Sequence, residues 1–249
     1  MDQKNILSIL KFYGDIGIDL KIYKSQNETQ TKLINSTKST TEKKIDNFFT
    51  NEEKKENNIN ELENLFECYN GCNLKKTATN FVKFQGNKNA DLLFIDGTPN
   101  TEEDKIGRSF VSAKGDLFEK MLRAINLKYE DIFIINAIPW RPPGNRYPTE
   151  EEMKICRPFI FNLINLLKSK IIVCLGEVPT NQILGLNQSI IKTRGRWHYL
   201  KPDLINYFDS EYNPHILPTL SISYLLNRPD MKIKAWEDMK LIRDKIREM

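Results

Sequence analysis

The sequence predicts an α/β protein: a three-layer α/β/α domain around a central, mainly parallel four-stranded sheet. Two observations carry this. Four short apolar runs, at residues 92–95, 132–135, 171–175 and 216–220, alternate with stretches of helical periodicity. Strands alternating with helices build parallel sheets covered on both faces, with right-handed crossovers. The length, 249 residues with 40% apolar and 28% charged, suits one large domain or one domain with an extension. No internal repeat is present.

In order along the chain, residues 1–21 place Ile6, Leu7, Ile9, Leu10 and Phe12 in a helical stripe, which predicts a short amphipathic helix docked on the domain or on a partner. Residues 22–60 turn to Lys, Asn, Thr, Ser, Glu and Gln, the composition of a disordered linker. The folded domain is expected over 61–249. Leu62, Leu65 and Phe66 lie at helical spacing in a helix over 59–69, with Gly71 as its glycine C-cap. Residues 81–84 read as a short edge strand or arm. The first core strand, 92–95, runs into the turn Asp96-Gly97-Thr98-Pro99-Asn100 and the acidic Glu102-Glu103-Asp104. A helix follows over about 115–125, then the second strand, ending at Asn136. Thr149-Glu150-Glu151-Glu152 forms a capping box for a helix to about Leu167. The third strand, 171–175, is followed by Gly176 and a helix, and the fourth by Ser221-Ile222-Ser223. A last helix from about Asp230 carries Ile233, Trp236, Met239 and Ile242 on one face.

The segment Trp140-Arg141-Pro142-Pro143-Gly144-Asn145-Arg146 follows the second strand. Two prolines fix φ and remove donors, and Gly144-Asn145 permits a tight reversal. A stiff loop is expected at the carboxyl end of a buried strand, where open α/β sheets bind ligands. Arg141 and Arg146 flank the turn with guanidinium groups that suit phosphate, although solvated arginines on a plain connecting loop would read the same. Arg194-Gly195-Arg196-Trp197 is a second basic-aromatic loop. The net charge of +4 permits nucleic-acid binding without arguing for it, since a patch matters more than a total. No apolar run approaches the roughly 18 residues of a membrane span. No small-residue cleavage site follows the first apolar stretch, so no signal peptide is read. Of the four cysteines, Cys174 sits in an apolar run as a buried thiol, and a reducing, cytoplasmic location is expected.

In this order and spacing the motifs resemble the uracil-DNA glycosylase superfamily, in its family-4-like bacterial branch, over about residues 70–245. The pieces are the turn at 96–100 with Glu103-Asp104, then Gly107-Arg108-Ser109-Phe110-Val111, Asn136, the 141–146 loop, Cys156, Leu175-Gly176, Arg194-Gly195, Pro218-Thr219 and Tyr224-Leu225-Leu226. The Trp140 variant and the linker layout look like an alphaproteobacterial subgroup. The resemblance implies base excision: the deoxyuridine leaves the stack and the enzyme reads the extruded base. Phe110 would stack on it and Asn136 would discriminate uracil from cytosine, with Thr98 and Pro99 lining the pocket. Arg141, Asn145, Arg146, Arg194 and Arg196 would contact DNA. Taken alone, Phe110 reads as core and Asn136 as a turn cap.

Two motifs depart from the family. Its first reads Gly-Glu-x-Pro-Gly, and here Gly97 stands where the carboxylate is expected. Asp96 lies one residue earlier, which on a strand points to the other face. Asp96, Glu103 and Asp104 are the candidate surviving carboxylates. The second motif has histidine where Ser221 stands; as a candidate catalytic residue its hydroxyl could still donate to uracil O2, but it reaches less far and cannot become cationic. Ser112 replaces a glycine usual in the family. His198 and His215 read as surface or loop residues. A family-type [4Fe-4S] cluster would need four thiolates; Cys72 and Cys156 match two positions, while Tyr69 and Trp140 occupy the others, so no metal or cofactor is expected. The expected protein is a monomeric DNA-repair glycosylase with weakened or altered catalysis, acting on single- or double-stranded DNA. A non-catalytic DNA-binding module, or a repair or replication interaction protein tethered by its N-terminal helix, are the alternatives.

Overall fold

A computed structural model describes residues 55–186, 188–200, 208 and 211–249. The expected helix at 1–21 and most of the expected linker lie outside these residues. The chain divides into two compact units, 1–71 and 72–249. Of the first, helix α1 (Lys55–Cys68) is described; it begins inside the stretch read as linker. Gly71 lies beyond its end without a left-handed φ, so it is not the expected cap. A Cβ there would meet the Tyr69 hydroxyl at 2.0 Å, which explains the glycine differently.

The second unit is built on five strands, one more than expected. β1 (Gln85–Gly86), β2 (Leu92–Asp96), β3 (Ile132–Asn136), β4 (Ile171–Leu175) and β5 (His215–Thr219) stand in the order β1-β3-β2-β4-β5. β2 to β5 pair in parallel and β1 adds an antiparallel edge to β3. The edge strand sits just after the expected 81–84 run, because Lys83 already bridges Arg108 and the chain reaches β3 only beyond it. β2, β3 and β4 are buried at every position.

The helices of this unit are α2 (Thr101–Ile106), α3 (Ser112–Ala124), α4 (Glu150–Leu167), α5 (Glu177–Leu184), α6 (Ile190–Thr193), α7 (Ile222–Asn227) and α8 (Lys232–Glu248). α4 starts at the expected capping box, with Thr149 Oγ1 accepting from Glu152 N and Glu152 accepting from Thr149 N. On one sheet face, Leu92, Phe94, Ile132, Ile134, Val173 and Leu217 pack with Phe118 and Leu122 of α3, Leu225 of α7, and Met239 and Ile242 of α8. Each such side chain contributes roughly 1.5–3 kcal/mol when fully buried. The opposite face meets α5, which packs on β2 and β4 and against α4. The buried stripe of α8 is Ala235, Met239 and Ile242; Ile233 and Trp236, expected on it, are exposed. The spacing i, i+4, i+7 fits one helical face, and Ile233 falls off it.

Candidate active site at the carboxyl rim of the sheet

β2 and β3 run in register and end side by side at Asp96 and Asn136. Alternation along a strand sends residues 92, 94 and 96, and likewise 132, 134 and 136, to one face. That is the face of Phe118 and Phe110. Asp96 and Asn136 therefore leave the rim on the side that carries the candidate stacking ring. Both are buried, at 3% and 2% exposure. Asn136 Oδ1 accepts from Ser109 Oγ, while its Nδ2 has no protein partner.

Glu103 holds the loop that presents Phe110. Within α2 it completes a capping box with Asn100, accepting from Asn100 N at 2.9 Å. Its other oxygen accepts from Phe110 N at 2.7 Å. Phe110 has φ 53°, a left-handed backbone that costs a non-glycine residue energy and that its surroundings must impose. Gly115 makes that turn possible, since a Cβ there would lie 2.1 Å from Phe110 O. The Phe110 ring stacks on Phe118 with centroids 4.2 Å apart.

Between the two carboxylates lies Lys114, a residue the sequence reading did not single out. Its Nζ donates to Asp96 Oδ2 at 2.5 Å and to Glu103 Oε2 at 2.9 Å, and stands 5.1 Å from the Phe110 ring centroid. Burial alone would lower its pKa, but Asp96 and Glu103 outweigh that and the net shift is upward. The available signal was its place four residues before Phe118 and eight before Leu122, on the buried stripe of α3. Ser109, within the Gly107–Val111 motif, donates to Asn136 and so holds one end of its amide.

The other candidates are placed less centrally. Gly97 directs its missing Cβ toward Val178 at 3.5 Å, on the α5 side. Thr98 is half-buried and Pro99 buried on the same turn. Asp104 is spent on structure, accepting from Thr79 N, Thr79 Oγ1 and Asn80 N. Ser221 caps α7 by accepting from Tyr224 N at 3.2 Å. Ser112 keeps a glycine-like φ of 54° and is exposed. His215 opens β5 at the end opposite the rim, and His198 bridges Ile216 beside it, so neither joins the site. Burial and Lys245 hold the His215 imidazole below its ordinary value.

The proline loop reverses at Gly144 and Asn145, both with left-handed φ. Arg141 Nε donates to Asn145 Oδ1 at 2.6 Å, and Arg146 forms a two-pronged pair with Glu152 at 2.6 and 2.9 Å. The Arg146 bond holds the Glu152 carboxyl below the usual range. Arg194 is committed to Asp238, with bonds of 2.9 and 2.6 Å, and Thr219 Oγ1 donates to the same carboxylate at 2.5 Å. Burial pushes the Asp238 carboxyl up, against the pull of Thr219 and Arg194. Gly195 is needed there because a Cβ would stand 2.7 Å from Asp238 Oδ1. Arg196 is exposed.

Cys72 and Cys156 are both buried and hydrogen-bonded to each other. That bond draws the Cys72 thiol down to about 7, while burial pushes Cys156 up. Trp140, at the position of a third cluster ligand, is 1% exposed and packs edge-on against Phe81 at 5.6 Å. Among the described residues no group of three or more His, Cys, Asp or Glu side chains gathers to hold a metal. Two thiols and an indole do not fit a four-thiolate cluster. Among the described residues no helix is long and apolar enough to cross a membrane.

The rim thus carries an amide and an aromatic ring on one face at the carboxyl end of a parallel sheet, the end at which open α/β folds bind ligands. A family model of the Uracil DNA glycosylase superfamily matches residues 84–240. The chain belongs to that superfamily. It is 35% identical over 181 residues to the Type-4 uracil-DNA glycosylase of Sulfurisphaera tokodaii, covering 70% of this chain and 78% of the relative. The Type-4 enzyme of Thermotoga maritima is 34% identical over 164 residues, covering 66% and 80%. That of Archaeoglobus fulgidus is 39% identical over 115 residues, covering 46% and 58%.

Proposed function

We propose that this chain is a DNA glycosylase that hydrolyses the N-glycosidic bond of uracil, or of a related damaged base, in DNA. The observation that carries the reading is the Asn136 amide: one end is bound by Ser109 and the other, though buried, has no protein partner. Buried polar groups are normally paired, so an orphaned one at a ligand rim points to a ligand. Uracil offers O4 as an acceptor to Nδ2, and its N3–H can donate to the remaining lone pair of Oδ1. Cytosine reverses both, with an amino donor at C4 and an acceptor at N3, and would leave the amide facing like groups.

Asp96 is the carboxylate on the same face, suited to orient water against C1′ and to stabilise the cationic sugar. In the net reaction water oxygen bonds C1′, the C1′–N1 bond breaks with its electron pair on uracil, and the water proton taken by Asp96 is passed on as uracil N1 is protonated. Glu103 shapes the site through Phe110 N. Ser221, engaged as a cap, and Gly97 supply neither a histidine nor the usual carboxylate, which supports slower catalysis than in a full motif set. The same two substitutions favour the second reading, a DNA-binding module without excision. Arg141 and Arg196 are the cations proposed to meet phosphate, while Arg146, paired with Glu152, and Arg194, paired with Asp238, fix their loops. The protein works as a cytoplasmic monomer without an iron–sulfur cluster; stoichiometric iron and sulfide in the purified protein would overturn that. The helix expected at 1–21, carried on the linker expected at 22–60, is the proposed contact for a protein partner.

The test is base release from uracil-containing oligonucleotides, single- and double-stranded, by the wild type and by Asn136→Ala. Removing one polar stabiliser costs about 10²–10³ in rate, and a fall of that size with unchanged folding is expected. DNA binding with no release by the wild type would establish the binding module instead.

A further inference from the structure

The carboxylate and histidine that the family resemblance implies are absent at Gly97 and Ser221, yet the rim carries a buried ionic cluster that includes Asp96, the residue before Gly97. Lys114, Asp96 and Glu103 are exposed by 3%, 3% and 0%. An ion pair removed from water must recover its desolvation through geometry and further bonds, and replacing it by apolar packing is often neutral or favourable. A cluster of this kind is therefore weak evidence for stability and stronger evidence for a task. Its place is informative. Asp96 stands beside Asn136 on the ring-bearing face, Glu103 bonds the backbone of Phe110, and Lys114 ties the two together beneath that ring.

We propose that Lys114 is a positioning residue of the excision site: its ammonium fixes Asp96 as the working carboxylate on the Asn136 face and, through Glu103, fixes the turn that presents Phe110. This rests on the glycosylase reading and deepens it. In this arrangement Asp96, on the face opposite the missing Cβ of Gly97, supplies the carboxylate, and the lysine is the counter-ion that lets it stay charged in a buried place. Two carboxylates and one ammonium leave the cluster one negative charge, the sign that suits a cationic sugar.

The experiment is single-turnover uracil release by the full chain, with DNA affinity and thermal melting measured alongside. The variants are Lys114→Met, Lys114→Arg, Asp96→Asn and the double Lys114→Met/Asp96→Asn. Lys114→Met and Asp96→Asn should each lower the rate by about 10²–10³, with affinity within about threefold, the loss expected of a group acting in the chemical step. Lys114→Arg should recover most of the rate. The double variant should be no slower than either single one, because groups that act as a unit are not additive. If Lys114→Met fails to fold, Lys114→Arg and Asp96→Asn carry the decision. An Asp96→Asn protein at the wild-type rate, or losses that multiply in the double variant, overturns the proposal while the glycosylase reading stands. A wild type that releases no uracil overturns the glycosylase reading, and this proposal with it.

Discussion

Two places in this molecule depart from its family's motifs, and they do so by opposite physical means. At the rim, the departure is charged: Asp96, Glu103 and Lys114 form a closed ionic cluster under Phe110. At position 140 it is apolar: Trp140, where the family resemblance would put a cluster thiolate, is buried edge-on against Phe81. Burying an indole is favourable in itself, whereas burying three charges is tolerated only when their mutual bonds offset desolvation. One departure stands on packing alone, and the other stands only while its charged partners remain together.

That division can be broken from either side. The largest effect is expected from Trp140→Ala, which opens a cavity and should destabilise the fold by about 3–5 kcal/mol. Urea denaturation would measure it, while the excision rate at 25 °C in the folded protein stays within a few-fold of wild type. A rate that collapses with folding intact would place Trp140 in the site after all. Next is alkaline stability. The Lys114 pKa is raised in the folded state, so its contribution is fully present below the unfolded value of about 10.5 and is lost as pH rises through the folded value. Melting temperature followed above that pH should fall for the wild type and lose this component in Lys114→Met. A smaller effect concerns the loops: Arg141→Ala should weaken DNA binding and reduce the salt slope by about 1, as for one phosphate contact. An unchanged slope removes Arg141 from the phosphate set. The smallest is Ser112→Gly, which relieves a left-handed serine and should stabilise by about 0.5–1 kcal/mol, readable as a raised melting temperature.

Much of this was legible in the sequence, for physical reasons that differ by element. β4 appears over the expected residues because a fully apolar run between polar flanks has one way to be buried. The α4 start is fixed by local hydrogen bonds that Thr149 and Glu152 make with each other. Phe110 and Asn136 were found through motif order, and they meet at the rim because β2 and β3 end in register. Lys114 was missed because a lysine in a helix reads as solvated, and only its partners 18 and 11 residues earlier in the chain make burial tolerable. β1 escaped notice because two residues, Gln85 and Gly86, carry no periodic signal. Asp104 misled for the opposite reason: an acidic residue at a family position proved to be a staple for Thr79 and Asn80.

Ser221 and Gly176 constrain one another. The Ser221 Oγ caps Tyr224 N, and its Cβ sits where any side chain at Gly176 would press within 3.0 Å. Placing histidine at 221 would forfeit the cap, at a cost of about 1 kcal/mol. A second substitution would then be needed to supply another cap to α7, so the two positions trade as a pair rather than singly.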